Sequence, residues 1–72
     1  MSPEAWAVEW LDKVASGQAT MSQRKLSTVE ARGGINALKK LARERGVHLL
    51  VVVDEDGAEI VAASRHPFRI IC

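Results

Sequence analysis

The chain has 72 residues, a formal net charge of +1 and 47% hydrophobic residues. A domain this small buries only roughly 60% of the surface that its unfolded form exposes, so its core is thin. One cysteine excludes an internal disulfide, and one cysteine with two histidines excludes a zinc finger within a single chain. The longest apolar run, Leu49 to Val53, falls far short of the roughly 20 residues that span a bilayer. Glu4, Glu9 and Asp12 stand where a signal peptide would be basic and then apolar, so a cytoplasmic protein without a membrane partner is expected. Charge is unevenly distributed. Residues 24–45 carry seven Lys or Arg against two Glu, a net of +5, and each flanking segment is at −2. The basic middle fits either a footprint for nucleic acid or an acidic partner, or the solvated face of an amphipathic helix.

The first helix is expected over about Pro3 to Ser16, with Ser2 as its cap, Pro3 at its first position and Gly17 beyond its end. Trp6, Ala7, Trp10, Leu11 and Val14 recur at three- and four-residue spacing and form one apolar stripe. Two indoles on one stripe serve either a core otherwise poor in large side chains or an interface. Residues 18–26 read as a polar connector. Ser27-Thr28-Val29-Glu30 fits a capping box, so a second helix is expected from Ser27 to Arg45. Gly33-Gly34 interrupts it, each costing about 1 kcal/mol relative to Ala, as a bend or a break. Gly46 is placed to end the helix in a left-handed conformation.

Val47 to Val53 is strand-length and apolar at nearly every position, with Leu49, Val51 and Val53 on one face and Leu50 and Val52 on the other. The turn Asp54-Glu55-Asp56-Gly57 then leads to a second strand over Ala58–Ala63 and completes a hairpin. After Ser64-Arg65-His66-Pro67, Phe68–Cys72 is expected to return as a third strand. The expectation is a single α+β domain over residues 1–72, ordered α-α-β-β-β, with two helices on one face of a small antiparallel sheet. Leu50 and Val52 then point outward. Leaving such side chains exposed forgoes roughly 1.5–3 kcal/mol each, which argues for a homodimer or a protein partner.

No catalytic constellation is present. Three acids in a tight turn lack the alternating pattern and distant Glu of an EF-hand, so no metal site is expected there. His48 has no partner acid at a readable spacing, and Cys72 is a terminal thiol, poorly held for nucleophilic work but able to pair between chains. There is no phosphate-binding or dinucleotide motif, and no cofactor is expected.

Helix 35–45, strand 47–53, Asp54-Glu55-Asp56-Gly57 and strand 58–63 together resemble the helix-strand-turn-strand part of a CBS regulatory domain, over about half of the chain. The chain also resembles a winged helix. There, helix 1, a short helical segment near 22–32, helix 35–45 as recognition helix and hairpin 47–63 as wing follow in order. That resemblance implies DNA binding through Lys39, Lys40, Arg43 and Arg45, although the acidic turn would meet phosphate with like charge. The leading expectation is a non-enzymatic protein-interaction module, a regulator, inhibitor or adaptor that also binds itself. Its surface combines Trp6, Trp10, Leu50 and Val52, bordered by Lys39, Lys40 and Arg43. A winged-helix-like DNA-binding regulator using helix 35–45 is the alternative.

Overall fold

A computed structural model describes residues 3–71. It contains α1 (Pro3–Ala15), β1 (Ser22–Lys25), α2 (Leu26–Ala31), α3 (Ile35–Arg45), β2 (His48–Val53) and β3 (Glu59–Ser64). The strands form one antiparallel sheet in the order β1-β3-β2. The α+β class holds, but the chain runs α-β-α-α-β-β and not α-α-β-β-β.

Three differences produce that change. Residues 22–25, Ser-Gln-Arg-Lys, have no strand-like pattern of their own, yet they pair with β3 from Ser22 opposite Ala63 to Lys25 opposite Ile60. A neighbouring strand with an open edge decides the conformation of a short polar segment more than its own propensity does. That pairing also takes the edge on which a returning C-terminal strand could have added. Residues 68–71 form no strand, neither there nor on the open edge of β2; Cys72 and the proposed cap Ser2 lie outside the described residues.

The long second helix is likewise two helices. α2 begins at Leu26 with Lys25 at its N-cap and has no side-chain cap hydrogen bond, so the Ser27–Glu30 box does not form. α3 stops at Gly46, which adopts φ +68° as the sequence predicts.

The periodic stripe of α1 does become core. Ala7, Trp10, Leu11 and Val14 are buried together with Val29 of α2, Leu38, Leu41 and Ala42 of α3, and Val61 and Ala63 of β3. Trp6, Val8, Leu26, Ile35 and Leu49 pack around them. Paired residues of an antiparallel sheet share a face. Leu49, Ala63 and Ser22 therefore lie on the helix-covered side, and Leu50, Ala62 and Gln23 on the other. As the strand pattern predicts, Leu50 and Val52 belong to the face the helices leave uncovered. At the hairpin tip, the Asp54 carboxylate accepts the amides of Asp56 and Ala58, both at 2.9 Å. Gly57 completes that turn with φ +81°, a conformation L side chains rarely adopt.

Candidate nucleic-acid interface

The segment that places basic residues together is α2, the turn Arg32-Gly33-Gly34 and α3. Both glycines have positive φ, +117° and +92°. The amides of Arg32 and Gly34 both donate to the Val29 carbonyl at 3.0 Å, closing the end of α2. The Gly34 carbonyl in turn accepts the Leu38 amide at 3.3 Å, opening α3. The glycine pair is thus what makes the turn rather than a flaw in one helix. Two helices joined by a three-residue glycine turn have the connectivity of a helix-turn-helix.

The buried side of α3 is Leu38, Leu41 and Ala42, which fixes the opposite side in solvent. Asn36, Lys39, Lys40 and Arg43 are all exposed there. At 100° per residue these four side chains fall within an arc of about 100°, a single row two turns long. Lys39, Lys40 and Arg43 are the residues that sequence reasoning selected. Asn36 was missed, although its spacing of three, four and seven residues from them is visible in the sequence. The apolar periodicity of the helix does not single it out.

Arg45 does not join this row. Its guanidinium donates to Asp12 of α1 at 2.9 Å and to the Leu41 carbonyl at 3.1 Å, and it also lies 3.6 Å from Glu44. It ties α3 to α1. Arg32 remains exposed in the turn.

Trp10 is 4% exposed, and its indole N–H donates to the Ser22 hydroxyl at 2.9 Å, docking β1 on the core. Trp6 is half-buried and stacks on Trp10 with ring centroids 5.6 Å apart. Arg24 covers the Trp10 ring from 5.5 Å. The tryptophans belong to the helical layer, whereas Leu50 and Val52 lie on the far side of the sheet, so the two sets do not make one continuous surface. Leu50 is half-buried and Val52 is exposed. The hairpin tip is acidic and exposed at Glu55 and Asp56. Among the described residues, no three His, Cys, Asp or Glu side chains are grouped so as to hold a metal ion, and no helix is long and apolar enough to cross a membrane.

α1, α2, α3 and the β2–β3 hairpin follow in the order given for the winged-helix resemblance, but residues 22–25, expected there within the short helical segment, form β1. The helix-strand-turn-strand run that resembles a CBS domain is α3-β2-β3, here preceded by α1, β1 and α2. No protein family, curated protein or solved structure matches the chain.

Proposed function

We propose that this chain is a small, non-enzymatic DNA-binding module of winged-helix type that lays α3 into the major groove. The observation that carries the reading is the turn Arg32–Gly34, which frees α3 from α2 and presents Asn36, Lys39, Lys40 and Arg43 as one exposed row. In this reading Lys39, Lys40, Arg43 and Arg32 neutralise phosphates, and Asn36, near the start of α3, reaches a base edge. The acidic hairpin tip stays away from the backbone, so the hairpin supports the sheet and does not act as a wing that grips DNA. Binding to a fluorescent duplex tests the proposal: Lys39→Ala/Lys40→Ala is expected to lose most of the affinity while keeping the native circular dichroism. Unchanged affinity in that folded variant would reject α3 as the contact surface.

A second reading is supported by a different observation. Val52 is exposed and Leu50 half-buried on the face that the helices leave open, which suits a protein-interaction module acting as a regulator, inhibitor or adaptor. The tryptophans support it less, because Trp10 is already occupied within the core.

A further inference from the structure

We infer that a second copy of this chain pairs with the free edge of β2, antiparallel and centred on Val51. The inference concerns a surface separate from α3 and does not depend on DNA binding. β2 is an edge strand, since the sheet order is β1-β3-β2. Its six residues, His-Leu-Leu-Val-Val-Val, contain no proline, lysine or other blunting charge along the apolar run. Edges of that kind template pairing with another strand. Val51, Val52 and Val53 are 45%, 47% and 61% exposed, so neither face of the strand is fully covered where it leaves the helices.

Hydrogen-bond alternation shows which backbone groups are available. The Asp54 amide donates to the Ala58 carbonyl at 2.9 Å across the end of the hairpin. Asp54 opposite Ala58 continues the β2–β3 register, in which Val52 faces Ile60 and Leu50 faces Ala62. Because hydrogen-bonded and non-bonded pairs alternate, the amides and carbonyls of Leu50 and Val52 turn toward β3. Those of Leu49, Val51 and Val53 turn toward the open edge.

The register with the second copy follows. Edge-facing residues must pair with edge-facing residues, so Val51 can oppose Val51, with Leu49 opposite Val53 and Leu50 opposite Val52. This register also aligns charge. One end of the hairpin carries Asp54, Glu55, Asp56 and Glu59; the other begins with His48 and is followed, after β3, by Arg65 and His66. Antiparallel pairing about Val51 puts His48 opposite Asp54 of the second copy and holds the two acidic tips at opposite ends of the shared strand pair, away from each other. Two copies then share a six-stranded sheet in which Val51 and Val53 are covered. Few side chains are involved, so the dimer is a weak one whose population depends on concentration.

Amide hydrogen exchange by NMR at low and high protein concentration tests this directly, with mass by light scattering in the same samples. The expected result is a rise toward twice the monomer mass. Slowed exchange should appear at Leu49, Val51 and Val53, while Leu50 and Val52 are protected at both concentrations. Val51→Lys and Val51→Glu should each stay monomeric alone, because like charges then oppose each other at the centre, and should pair when mixed. A wild-type chain that stays monomeric at high concentration overturns the inference. So does a dimer whose Leu49, Val51 and Val53 amides still exchange freely, since the second copy would then sit elsewhere. The wild-type readouts decide the matter even if a variant fails to fold.

Discussion

At the scale of single residues, the same chemistry occurs in positions with opposite fates. Arg43 and Arg45 are two residues apart on one helix. Arg43 faces solvent in the row with Lys39 and Lys40, and Arg45 is spent on Asp12 and the Leu41 carbonyl. Arg43→Ala should therefore weaken DNA binding on any sequence and lower the slope of log affinity against log salt by about 1. Arg45→Ala should leave that slope unchanged. It should cost only about 0.2–1 kcal/mol in urea unfolding, because its partner Asp12 is exposed. Asn36 differs from both. If it reads a base edge, Asn36→Ala should cost about 1–3 kcal/mol on the preferred site and little on random DNA, measured by competition between the two duplexes. The basic residues were legible from composition alone. That Arg45 is unavailable was not, because its partner lies on a helix 33 positions away in sequence.

Elements show where local sequence was sufficient and where it was overruled. α1, α3 and the β2–β3 hairpin were readable because each carries its own periodicity and its own stop signal in Gly17, Gly46 or Gly57. β1 was hidden because Ser-Gln-Arg-Lys becomes a strand only through the edge that β3 offers it and the Trp10 indole that anchors Ser22. Ser22→Ala, which keeps the indole and removes the acceptor of that hydrogen bond, should cost about 1–3 kcal/mol and speed amide exchange in β1 more than in β2. The glycine pair was legible as an interruption but not as a turn, since only the backbone shows that both residues need positive φ. Gly33→Ala or Gly34→Ala should destabilise the fold by about 1–2 kcal/mol in urea unfolding. A neutral result at both sites would mean that the turn tolerates ordinary backbone angles.

The described residues build one thin core between three helices and one face of a three-stranded sheet, with a basic row on one side and an apolar strand edge on another. Such a domain has little stability to spare. Leu11 and Leu38, 0% and 1% exposed, join α1 to α3 at the centre of the core. Either Leu→Ala change should cost about 2–5 kcal/mol, enough to leave a substantial unfolded population at room temperature by circular dichroism. The outward face of β2 was readable in the sequence, because its apolar residues fall on both faces of the strand. The placement of the tryptophans away from that face was not, because it depends on which side of the sheet α1 packs. The claim that α3 is the DNA-contacting surface is tested most directly by titrating labelled protein with a DNA duplex and following backbone amide shifts. Shifts are expected to concentrate in residues 32–43, to leave the Trp10 indole and the Asp54–Asp56 turn unmoved, and to reverse with added salt. Shifts confined to β2 and the hairpin, or none at low salt, would contradict it.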